Sequence, residues 1–140
     1  MKQIFKFLTV GLALVTGITA CEKMDDLPVY GNGNAVSLNV APATVTPTIA
    51  DSSNAAVNFS WTNPNYATDS ANYKFILEID SAGRNFAKKA TRIIMAGYTA
   101  SLTGRELNSI ALDYGLALGS AYTLEARIVS SYANNNDRFT

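Results

Sequence analysis

From residue 35 onward, apolar and polar side chains alternate along the chain. In 35–41, Val36, Leu38 and Val40 interleave with Ser37 and Asn39, and in 55–62, Val57, Phe59 and Trp61 interleave with Asn58, Ser60 and Thr62. A strand sends successive side chains to opposite faces, so a period of two predicts strands with one buried face. Tyr73, Phe75, Leu77 and Ile79 share a face in a third run. Tyr122, Leu124, Ala126 and Ile128 do so in a late one, opposite Thr123, Glu125 and Arg127. Weaker strands are predicted at 90–95 and 98–102, separated by Gly97. Asn63-Pro64-Asn65 and Ser81-Ala82-Gly83 supply turn residues between strands. The phase of the runs assigns Trp61, Tyr73 and Tyr122 to the core. Tyr30, Tyr66, Tyr132 and Phe139 fall in linker, loop or tail contexts and remain the aromatic candidates for exposure.

One segment breaks the period. Thr103-Gly104-Arg105-Glu106 has the Thr-x-x-Glu spacing of a capping box, and Leu107, Ile110, Ala111 and Tyr114 follow at helical spacing. A short helix is predicted over 104–114, with Gly115 placed to end it. Short strands at regular spacing, without alternating strand–helix units, argue for an all-β fold. The expected architecture is an antiparallel β-sandwich of immunoglobulin or fibronectin type III kind, covering 35–140.

The N-terminus has a different pattern. Lys2 and Lys6 precede an apolar run, and the uncharged stretch 7–20 is 14 residues long. A bilayer-spanning helix needs ~20 apolar residues, so 1–20 reads as a secretory signal. Ile18, Thr19 and Ala20 stand directly before the only cysteine, Cys21. That tetrapeptide resembles the lipobox of bacterial lipoproteins and implies that Cys21 is lipidated and becomes the first residue. A multi-chain lipid exceeds the two-signal threshold for stable anchoring. The stretch 21–34 reads as a tether, acidic at Glu22, Asp25 and Asp26 and flexible at Gly31, Asn32 and Gly33. Its acidic run resembles the export signal that sends some lipoproteins to the outer face of the outer membrane.

Composition narrows the chemistry. The 140 residues contain no histidine and one cysteine, which removes the commonest general base and metal ligand and any multi-thiolate zinc site. The 11 basic and 11 acidic side chains are scattered, leaving no electrostatic footprint for nucleic acid. Loss of Lys2 and Lys6 with the signal leaves 9 basic against 11 acidic residues.

A glycosidase needs two carboxylates converging on one bond. Of the candidates, Glu78 and Glu125 are expected on outward strand faces and Glu106 in the helix cap, with Asp51, Asp69, Asp80 and Asp137 in turns. No loop carries the ligand ladder of a calcium site. No catalytic residue, metal site or cofactor is expected. Lys88 and Lys89, with Arg84 and Arg92, read as a solvated edge that discourages strand pairing. No aromatic sugar platform can be read from the sequence.

The order FSWTNP, YKFILEIDSAGRNFA, TSLTGRELN-like sequence at 99–108 (here TASLTGRELN), and YTLEARIVSSY resembles the N-terminal domain of SusE-type outer-membrane lipoproteins. The resemblance covers about 35–132 together with the signal. It rests on Trp61, on the turn Ile79, Asp80, Ala82, Gly83 and Phe86, on Glu106, Leu107 and Asn108 at the helix start, and on Arg127.

The resemblance implies a cell-surface lipoprotein of a Sus-like system for binding and uptake of starch or another polysaccharide. Within it, this domain would act as a spacer or docking module. The implied partners are the outer membrane, through the lipid, and other Sus-type outer-membrane proteins. Glycan would be held by carbohydrate-binding modules that the family carries further along and that are absent from this sequence. The alternative is a stand-alone carbohydrate- or small-ligand-binding lipoprotein on the same fold. Because 133–140 is polar where the family pattern enters its last strand, the domain is expected to be C-terminally truncated.

Overall fold

Each alternating run becomes a strand in the computed structural model, which describes residues 31–67, 70–117 and 119–132. In chain order the elements are β1 (Leu38–Ala41), β2 (Ala55–Trp61), β3 (Tyr73–Ser81), β4 (Ala90–Met95), β5 (Thr99–Thr103), α1 (Gly104–Asp113) and β6 (Leu124–Tyr132). They form two three-stranded antiparallel sheets, ordered β1-β2-β5 and β4-β3-β6. The expected antiparallel sandwich with one short helix is the observed fold. The expectation of a missing last strand concerns the chain after Tyr132, outside the described residues.

The two central strands face each other across the core. Val57, Phe59 and Trp61 of β2 meet Tyr73, Phe75, Leu77 and Ile79 of β3, with Leu102 of β5 and Ile128 of β6 at the flanks. Phe75 is the hub, its ring centroid 5.4 Å from Trp61 and 5.5 Å from Tyr98 in tilted contacts. Such offset aromatic pairs contribute more than their buried area alone.

The capping box forms as predicted. The Glu106 N–H donates to Thr103 Oγ1 at 3.2 Å, and Glu106 Oε2 accepts from the Thr103 N–H at 2.8 Å. At the far end of the helix, the Tyr114 hydroxyl donates to the Ile79 carbonyl (2.6 Å) and accepts from the Ala90 N–H (2.9 Å). It thereby bridges the last paired residues of β3 and β4.

Three sequence expectations are corrected. Tyr66 is 2% exposed, not a surface residue: its ring packs edge-on against Tyr73 at 5.5 Å and its hydroxyl shares a 2.6 Å hydrogen bond with Ser130 Oγ. Tyr122 is 43% exposed although in phase with the core, because the β3–β6 ladder ends at Ser81 and Leu124 and leaves Tyr122 past the last rung. Asp80 belongs to β3 rather than a turn and is fully buried. Tyr30, Phe139 and the side chain of Tyr132 lie outside the described residues.

The segment leading into β1 is held against the segment leaving β2. The Gly31 N–H donates to the Tyr66 carbonyl (2.7 Å), the Asn34 N–H to the Pro64 carbonyl (2.6 Å) and the Thr62 N–H to the Ser37 carbonyl (3.2 Å). Between them Gly33 has φ +67°, and a β-carbon there would lie 2.4 Å from the Tyr66 ring and 2.6 Å from the Pro64 oxygen. Only glycine fits this approach.

Replacing Trp61 with alanine should cost about 3–5 kcal/mol of folding stability, as for other buried aromatics, measured by denaturant unfolding followed by circular dichroism. The Tyr98 hydroxyl is buried without a hydrogen-bond partner among the described residues. Tyr98→Phe should therefore leave stability within about 1 kcal/mol of the parent or raise it, because it removes an unsatisfied group and little packing.

Candidate functional site

The lipidation candidate Cys21 lies outside the described residues, as do Asp69 and Asp137. Among the described residues, charge gathers on the outer face of the β3–β6 pair. Glu78 and Asp80 alternate with Leu77 and Ile79 along β3, and the register sets Glu78 opposite Arg127 and Asp80 opposite Glu125.

Glu78 points outward as expected, yet it is 1% exposed rather than solvated. Lys89 Nζ lies 2.6 Å from Glu78 Oε1, and Arg127 Nε donates to Oε2 at 2.7 Å. The Arg127 guanidinium in turn lies 4.2 Å from the centre of the Phe86 ring, a cation–π contact. Phe86 belongs to the β3–β4 connection, where Gly83, Asn85 and Phe86 all have left-handed backbone with φ between +51° and +79°. Asp80 sits at the base of this connection. It accepts from the Ser81 N–H (2.8 Å) and the Lys88 N–H (3.0 Å), with Arg84 at 3.7 Å.

The basic stretch is exposed at Lys88 and Arg92, as expected of an edge, but each of its cations has a fixed acceptor. Lys89 meets Glu78, Lys88 Nζ donates to the Asp113 carbonyl at 2.8 Å, and Arg84 pairs with Asp80 and lies 5.4 Å over the Tyr114 ring. Arg92 donates to the Ser101 carbonyl at 2.6 Å and pairs with Glu106. Acceptors fixed by the fold hold each cation, and Lys89 is the one drawn furthest from solvent.

The electrostatics follow. Burial pushes the Glu78 carboxyl up, but hydrogen bonds and charges from Lys89 and Arg127 outweigh it and hold the group below the ordinary carboxylate range. Glu106 is also lowered, first by the Thr103 backbone N–H and further by the Thr103 hydroxyl and Arg92. Both acids are committed as anions, whereas general-acid catalysis needs a carboxyl still protonated near neutral pH. No group of three or more metal-ligating side chains gathers among the described residues.

A cleft of about 340 Å³ opens between β4 and the β5–α1 corner. Leu77, Ile79, Leu102 and Ile110 line its apolar part, and the Arg92–Glu106 ion pair stands at its polar side. The volume is at the lower end for small-ligand pockets. The aromatic residues Trp61, Tyr66, Tyr73 and Phe75 are all in the core and present no stacking platform to solvent.

The sequence reading missed the Glu78–Arg127–Lys89 cluster. Its signal was present in the matching outward phase of Glu78 and Arg127, but the register that makes them partners is invisible in either run alone. Of the residues that carry the family resemblance, the structure brings Phe86 and Arg127 into this cluster, sets Asp80 at the base of the connection beside it, and puts Glu106 in the helix cap.

Together these features define a β-sandwich domain whose charged side chains hold its own connections in place. The family model described as SusE outer membrane protein matches residues 23–129, and the chain belongs to that family. It is thus an outer-membrane protein of the Sus-like systems, in a family of surface binding and accessory proteins. No curated protein and no solved structure matches the chain.

The depressed Glu78 carboxyl fixes a pH dependence. Its contribution to stability is complete above the unfolded glutamate value of about 4.3 and is lost as pH falls through the lower folded value. Glu78→Gln should be less stable than the parent by about 1–3 kcal/mol at neutral pH. Denaturant titrations at descending pH should show this gap narrowing below about pH 4.3, as the parent carboxyl protonates.

Proposed function

We propose that the protein is a lipid-anchored component of a Sus-like glycan-binding and uptake system at the cell surface. In this reading Cys21 carries the anchor and the sandwich serves as a spacer or docking module between the membrane and glycan-holding parts of the system. The observation that carries this is the fastening of 31–37 along 62–66 by backbone hydrogen bonds. A domain joined in this way to its own tether holds a set orientation to it. The aromatic residues committed to the core support the same reading, since sugar-binding faces need them outside.

The second reading, a stand-alone small-ligand or carbohydrate binder, is favoured by the cleft beside Arg92 and Glu106. Affinity electrophoresis in gels containing soluble starch or other polysaccharides separates the two. A spacer migrates unretarded in every gel, and retardation that is lost in an Ile110→Trp variant, which fills the cleft, would establish the binder.

For the anchor, the full chain should partition into detergent and incorporate labelled palmitate, and Cys21→Ala should do neither. Protease added to intact cells should remove the domain. Digestion only after lysis would place the domain on the periplasmic side.

A further inference from the structure

The free edge of β4 is an interaction surface of a particular kind. In the β3–β4 ladder the Ala96 N–H donates to the Tyr73 carbonyl, and Phe75 pairs with Ile94, Leu77 with Arg92 and Ile79 with Ala90. Antiparallel ladders alternate, so the N–H and C=O groups of Ile94 and Arg92 turn toward β3, and those of Thr91, Ile93 and Met95 turn away from it. The side chains of these last three lie on the outer face of the sheet. There Ile93 is 64% and Met95 50% exposed.

An edge strand with open backbone groups and exposed apolar side chains is a template for strand addition, and proteins ordinarily guard it with charge, proline or brevity. The neighbouring edges in this sandwich carry such guards. β1 is four residues long and is followed by Pro42, and the β5 edge has its Ser101 carbonyl occupied by Arg92. β4 has none. The cations beside it are bonded elsewhere, to Glu78, Asp113, Asp80 and Glu106.

The geometry points to a second copy of this chain as the occupant, paired β4 to β4 in antiparallel sense about a two-fold axis at Ile93. The segment is self-complementary in that register. Ile93 faces its own image, and Thr91 faces the Met95 of the second copy. The centres of Arg92 and of its image are offset along the strands, Arg92 standing opposite Ile94. No charged residue stands directly opposite its like, and each Arg92 is held by Glu106 of its own chain. On the outer face, the rung Val129, Ile76 and Ile93 continues into the same rung of the other copy, so one six-stranded sheet carries an unbroken apolar stripe across the interface. Such an isologous contact closes at a dimer and offers no further edge of β4.

The test uses the full chain carrying Cys21→Ala, which has no other thiol. Paired residues in this register have α-carbons about 5.5 Å apart, within disulfide range. Under mild oxidation Ile93→Cys should give a covalent dimer. Thr91→Cys alone should not, and Thr91→Cys combined with Met95→Cys should. Sedimentation should show the Cys21→Ala parent self-associating. Ile93→Lys, with an unchanged circular dichroism spectrum, should be monomeric because it sets two ammonium groups face to face. Equal cross-linking by Thr91→Cys and Ile93→Cys would overturn the register. A parent that remains monomeric at the highest soluble concentration would overturn the proposal, as would Ile93→Cys forming its disulfide with a different envelope protein instead of with itself.

Discussion

Glu78 lies on the central strand of its sheet, sealed from water, and a carboxylate in that position is stable only if cations come to it. Much of the outer surface of the sandwich is arranged by that demand. Arg127 arrives from β6 and Lys89 from the residue just before β4, so one carboxylate ties the two outer strands of the sheet to the central one. Arg127 is in turn covered by Phe86, and placing Phe86 there requires the β3–β4 connection to pass through left-handed backbone. Asp80, two residues along the same face, holds the base of that connection through two backbone N–H groups. A short polypeptide loop is thus folded down onto a charge instead of extending into solvent.

The opposite face of β3 carries the aromatic core, and the two faces are coupled at their ends. Tyr114, from the end of the helix, reaches the last paired residues of β3 and β4. Tyr66 joins the segment after β2 to Ser130 of the other sheet. Both tyrosines use an apolar ring for packing and a hydroxyl for a buried polar partner, so each ties a connection to a strand without leaving a polar atom unmet.

The legible part of this fold is the part with a period. Alternation identified the buried faces of β2 and β3, and the Thr-x-x-Glu spacing located the helix start, because both are local and repeat within one element. Tyr66 was not legible: a loop has no phase, and its burial depends on Gly33 and Ser130, distant in sequence. Tyr122 shows the complementary failure. Its phase is that of a core residue, but phase does not say where the partner strand stops. The charged cluster was hidden for the same reason, since a buried Glu78 and a solvated one have the same pattern in β3 and differ only in what the register with β6 places opposite.

The hydrogen bonds of Gly31 and Asn34 also set a leash. Among the described residues the first bond to the domain is at Gly31, so a lipid on Cys21 would stand no more than ten residue steps from that point. Those ten residue steps span at most about 35 Å when fully extended. The sandwich then stays within roughly its own length of the bilayer surface, close enough for the headgroups and any neighbouring membrane protein to lie within its sweep. A leash ending at Leu38, the first residue of β1, would enlarge that sweep, and the contact between Gly33 and the Tyr66 ring keeps it short.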